Sequence, residues 1–132
     1  LLGNKMNYKT KEKIYKKIRA IAHPDVPFWE QLEQHRIDTI EREKSGDLPK
    51  QIMNLPIWNL IHTYRDLSMY VEHGIKPTRM WKVSHPKNYF GITGTGQKLL
   101  QNFLEIYHAV APVYLYESYI EQHPEEWQEL NK

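Results

Sequence analysis

With 132 residues, 40% of them apolar and 26% charged, and with no cysteine, the chain has globular rather than disordered composition. Disulfides, thiolate nucleophiles and cysteine-ligated metal centres are thereby excluded. The net charge of +2 conceals an asymmetry, since residues 1–22 carry seven Lys or Arg against Glu12 alone, whereas residues 117–132 carry five Glu against Lys132. A length of this order supports one modest core, so a single helical domain is expected over residues 1–132, with residues 1–9 flexible or extended.

The first helix is expected from a Thr10 cap, with Ile14, Ile18, Ile21 and Ala22 on one face and Lys11, Lys13, Lys16 and Lys17 around the rest. His23-Pro24 ends it, because proline disfavours helical backbone in the residue before it. Asp25 is the next expected cap, with Pro27 in the first turn, and the stripe Phe28, Trp29, Leu32, Ile37, Ile40 runs to a stop at Ser45-Gly46. Asp47 and Pro49 open a short turn or helix through Met53. Pro56 then begins the most periodic segment, in which Ile57, Leu60, Ile61, Tyr64, Leu67 and Val71 recur at helical spacing before Gly74 and Pro77.

Residues 75–96 contain Pro77, Pro86, Gly91, Gly94 and Gly96 and are expected to form a long irregular arm, with a short strand at Met80 to Val83. From Gln97 the pattern Leu99, Leu100, Phe103, Ile106, Tyr107, Val110 is again helical, and Pro112 either kinks that helix or begins another through Ile120. A last turn follows Pro124. The fold class is therefore all-α, with four to five helices and the arm. No apolar run of the ~18 residues that spanning a bilayer requires occurs, the best stretch, Leu99 to Ile120, being broken by Glu105, His108, Pro112 and Glu117. The start at Leu1-Leu2-Gly3 is compatible with a processed precursor, a fragment or residues left by cloning.

The chemistry-bearing motifs are near misses. Gly91-Ile92-Thr93-Gly94-Thr95-Gly96-Gln97-Lys98 has glycine spacing like that of a phosphate-cradling loop, but Gln97 separates the last glycine from Lys98, and Leu99 stands where Ser or Thr should hold magnesium. A loop leading into a helix explains it better than a phosphate site. Glu105 and His108 form one Glu-x-x-His, which di-iron bundles use twice with two further glutamates. Ser45 and Ser84 are expected in loops and have no nucleophile-elbow setting. No catalytic, cofactor or metal site is expected, and a small enzyme working near the glycine loop is the third-ranked reading.

The strongest contact candidate is the stretch from His73 to Leu104, which holds no acidic residue. Lys76, Arg79, Lys82, Lys87 and Lys98 lie there, interleaved with Trp81, Tyr89 and Phe90. Such a surface fits an acidic protein partner, and nucleic acid is the alternative, with cations on phosphates and rings on bases. Peripheral contact with an anionic lipid surface uses the same features.

Between Arg65 and Trp81 the residues Arg65, Leu67, His73, Ile75, Pro77 and Trp81 keep a spacing similar to that of the 14-kDa accessory subunit of mitochondrial cytochrome bc1 complexes. Tyr114-Leu115, Glu117, Tyr119-Ile120-Glu121 and Glu125-Glu126-Trp127 resemble that family's Tyr/Glu-rich C-terminal segment. The resemblance implies a non-catalytic, largely helical subunit on the matrix side of a respiratory complex, packed on neighbouring subunits and holding no cofactor of its own. From the residues alone the order is an intracellular interaction protein first, a nucleic-acid binder second and an enzyme third.

Overall fold

A computed structural model describes residues 8–46 and 54–130. Among these it contains seven helices and no strand. They are α1 (Tyr8–Ile21), α2 (Pro27–Ser45), α3 (Leu55–His73), α4 (Ser84–Phe90), α5 (Gly96–Tyr114), α6 (Tyr116–Gln122) and α7 (Pro124–Leu130). The all-α class stands, with seven helices in place of four to five. The segment expected from Asp47 to Met53, and residues 1–7 of the expected N-terminal tail, lie outside the described residues. The chain divides into two compact units, one formed by residues 1–22 and 104–132 and the other by residues 23–103.

In the unit of residues 23–103, α2 begins at Pro27, which needs no N–H partner at a helix start. Its cap is Val26, in extended conformation and without a side-chain bond, so the expected Asp25 cap lies one residue too early. Phe28, Trp29 and Leu32 are buried, while Ile37 and Ile40 at the far end are exposed. Helix α3 is capped by Asn54, whose side-chain oxygen accepts from the Ile57 N–H at 3.3 Å. It closes at Gly74, which adopts the left-handed conformation (φ 67°) that ends helices, its N–H donating to the Tyr70 carbonyl at 2.9 Å.

The expected arm is more structured than its glycine and proline content suggests. Met80 lies in a turn rather than a strand, the Trp81 N–H donates to the Thr78 carbonyl, and Trp81 packs on Tyr70 of α3 with ring centroids 5.0 Å apart. Helix α4 then forms over Ser84–Phe90, with Pro86 and Phe90 buried. Phe90 lies between Phe28 and Phe103, at centroid distances of 4.9 and 5.2 Å, and this aromatic cluster joins α2, α4 and the start of α5.

Gly91 ends α4 at φ 68°, and a Cβ there would stand 2.7 Å from a methyl of Val26. Gly91→Ala is therefore expected to lose about 1–2 kcal/mol to backbone strain alone, and more through the clash. Urea denaturation of Gly91→Ala against the Val26→Ala/Gly91→Ala pair separates the two effects, since the shorter side chain relieves only the clash.

In the unit of residues 1–22 and 104–132, α1 already includes Tyr8 and Lys9, so the first helix starts before the expected Thr10 cap. Thr10 is buried within the helix, one turn from the fully buried Ile14. The four lysines expected on its outer faces are exposed. Helix α5 runs through Pro112 to Tyr114, although proline offers no N–H to the preceding turn. The break falls at Leu115, whose N–H donates to the Ala111 carbonyl at 2.7 Å and whose backbone (φ −128°, ψ 41°) is not helical. Helix α6 packs on α7, and α7 buries Trp127 and Leu130 as it meets α1. No described helix is long and apolar enough to cross a membrane.

Candidate functional site

Of the eight residues singled out from the sequence, Lys76, Arg79, Lys82 and Lys98 are exposed, and Lys87 is half-buried. None of the five makes an ion pair among the described residues. Trp81 and Tyr89 are half-buried and line an open cleft of about 560 Å³ between α3 and α4, together with Asn59, His62, Thr63 and Asp66. Tyr89 donates through its hydroxyl to Gln31 at 2.6 Å, and burial raises its pKa. Phe90 requires correction as a contact residue: it is 1% exposed and forms part of the aromatic cluster, so no partner reaches it. The acid-free stretch thus divides into an exposed cationic surface and rings that are wholly or partly engaged inside the unit.

The glycine loop serves conformation. Gly91, Gly94 and Gly96 all have positive φ, and Asn102 of α5 donates to the Thr93 carbonyl at 2.8 Å, holding the loop against the helix it precedes. It lines neither this cleft nor the second cavity described below.

A surface that sequence reading missed lies on α3. Leu55, Trp58, Ile61 and Met69 are all exposed, Trp58 by 51% of its surface. At 100° per residue they fall on one face with Arg65 between them, opposite the buried Ile57, Leu60 and Leu67. Trp58 packs on His62 in a tilted contact with ring centroids 4.2 Å apart, and Arg65 donates to Asp66 at 3.1 Å, so the polar groups on this face are held in place. Beyond the helix, Ile75 and Met80 are also exposed, the latter by 78%. Exposed apolar side chains grouped on one helix face mark interaction sites. The signal in the sequence was an α3 apolar on two faces, more than one core can absorb.

In the other unit, Tyr107, His108, Tyr119 and His123 form a box. Tyr107 Oη lies 2.9 Å from His123 Nε2, Tyr119 Oη lies 2.9 Å from His108 Nδ1, and the two imidazoles face each other edge-on at 5.3 Å. Burial lowers the pKa of both histidines, and each is further affected by neighbouring charges: His123 and Lys17 lower that of His108, while Glu126 raises both. His108 also reaches a cavity of about 400 Å³ with Lys17, Glu105 and Leu104. The Glu105–His108 pair thus lines a cavity. No group of three or more His, Cys, Asp or Glu that could hold a metal occurs among the described residues.

Comparisons with protein-family models, with curated proteins and with solved structures find no match for this chain.

Proposed function

We propose that this chain is a non-catalytic accessory subunit of a larger assembly, docking on partner proteins through the outward face of α3 and the stretch that follows it. The observation that carries this reading is the exposed row Leu55, Trp58, Ile61, Met69 on α3, with Ile75 and Met80 exposed in the stretch that follows. Tryptophan and methionine are enriched at protein interfaces, and a well-packed Trp there is a typical energetic anchor. The resemblance of residues 65–81 and 114–127 to the bc1 accessory subunit makes a respiratory complex, on the matrix side of the mitochondrial inner membrane, the assembly to test first.

Nucleic acid is the weaker reading of the same surface. Its cations Lys76, Arg79 and Lys82 are available, but Trp81 already packs on Tyr70 and Phe90 is in the core, which leaves few rings to stack on bases. The experiment is native electrophoresis of material from the source organism, with antibody detection of this chain. Subunit function predicts migration with other polypeptides, well above the chain's own 15.9 kDa. Migration as a solitary monomer would sink the proposal.

A further inference from the structure

We infer that the cavity between α1 and α5 binds a small zwitterion, an α-amino acid with an aliphatic side chain, its carboxylate on Lys17 and its ammonium on Glu105. Every residue of this site belongs to the unit of residues 1–22 and 104–132, whereas the docking face lies on α3 in the other unit, so the two readings stand or fall separately. At about 400 Å³ the cavity falls in the size class of small-molecule sites, which are apolar concavities with a few convergent polar groups. Ile21 of α1 and Leu104 and Ala109 of α5 supply apolar wall, and no aromatic ring lines it. Three polar side chains share the space, Lys17 from α1 and the pair Glu105 and His108, one turn apart on α5.

The two charges are kept apart rather than neutralised. Lys17 and Glu105 line one cavity, yet neither makes an ion pair among the described residues. Lys17 stands near enough to His108 to lower its pKa, whereas Glu105 is not among the charges acting on that ring, so Lys17 and His108 form one pole and Glu105 the other. Glu126 of α7 also acts on His108 but does not line the cavity. The imidazole is held in place, since the hydroxyl of the buried Tyr119 lies 2.9 Å from Nδ1, while Nε2 has no hydrogen-bond partner among the described residues. Burial keeps the ring neutral near pH 7, and Nε2 then offers one hydrogen bond in either tautomer, as donor to a carboxylate or as acceptor from an ammonium. A simple carboxylate would face Glu105 as a like charge, and a simple amine would face Lys17 in the same way. A molecule carrying both charges on neighbouring atoms is complementary to both poles.

The test is NMR titration of the full chain with L-leucine at about pH 7.5, where lysine and glutamate side chains are charged. Leucine should bind with a Kd of about 1 mM or tighter. Isocaproate, which lacks the ammonium, and isopentylamine, which lacks the carboxylate, should each bind roughly tenfold more weakly. Lys17→Met should weaken leucine roughly tenfold and leave isopentylamine no weaker, and Glu105→Gln should weaken leucine roughly tenfold and leave isocaproate no weaker. Both positions are exposed, so the variants keep the fold, which circular dichroism checks. Either analogue binding as tightly as leucine would overturn the zwitterion. Unchanged leucine affinity in either variant would remove that residue from the site and the proposal with it. No change in any resonance at ten times the expected Kd would overturn the site itself.

Discussion

Phe90→Ala is expected to destabilise the chain by about 3–5 kcal/mol, a large share of what a domain of this size possesses. The ring is almost fully buried between Phe28 and Phe103 and is the largest side chain that α4 commits to the core. Its removal leaves a cavity that three separate helices would have to move to fill. Tyr89→Ala, one position away, should cost far less, because Tyr89 is half-buried and its main polar contact is the hydroxyl bond to Gln31. Urea denaturation of the two variants measures the difference. A Phe90→Ala chain of unchanged stability and impaired association would return Phe90 to the contact surface.

Acid is expected to loosen the unit built from α1, α6, α7 and the end of α5, through His108 and His123. In the unfolded chain both imidazoles titrate near ~6.5, and in the folded chain burial holds both lower. Between those values the unfolded chain binds more protons. Stability is therefore complete above about pH 7, falls as pH drops through ~6.5, and levels off once the folded rings themselves protonate. The second proton is the costlier one. Two cations at the 5.3 Å ring separation repel by about 3 kcal/mol at an effective dielectric of ~20, and by less where solvent reaches the half-buried His108. Facing the pair, Glu126 of α7 opposes the loss, Lys17 of α1 adds to it at His108, and Glu105 shares the cavity that His108 lines. Melting temperature measured at about pH 7.5 and 5.5 should fall with acid in the wild type and fall less in His108→Gln and His123→Gln. An equal fall in all three would remove the box as its cause.

The long elements were legible because their signals are redundant. Gly46 and Gly74 stop α2 and α3 where an αL residue was expected, and the 3.6-residue period of α3 and α5 extends over several turns. Helix α4 was not, since its seven residues cover two turns and only Pro86 and Phe90 face inward, too few to establish a period. Pro112 was expected to disturb its helix, but its ring is fully buried, the helix continues, and the break comes at Leu115.

The candidate site was half legible. Charge and exposure largely follow from residue type, so Lys76, Arg79, Lys82 and Lys98 stand exposed, while Lys87 is half-buried. The fate of the rings does not, because neighbours on a helix point ~100° apart, and Tyr89 and Phe90 therefore face different surroundings. The histidine box was hidden for a different reason: His108 and His123 are fifteen positions apart and meet only because the chain turns at Leu115 and again at His123. Of the exposed face of α3 only Ile61 belonged to the periodic stripe read from the sequence, since periodicity counts apolar positions without showing how many a neighbour can cover.

The central claim is that the outward face of α3 holds this chain in an assembly, and the most direct test is size-exclusion chromatography of tagged wild type and Trp58→Asp/Ile61→Asp from the native source. Both positions are exposed, so the variant should keep its helical circular dichroism and its stability within about 1 kcal/mol. The wild type should elute with partner polypeptides far above 15.9 kDa, and the folded variant should elute alone. A variant that stays in the assembly as firmly as the wild type would contradict the claim.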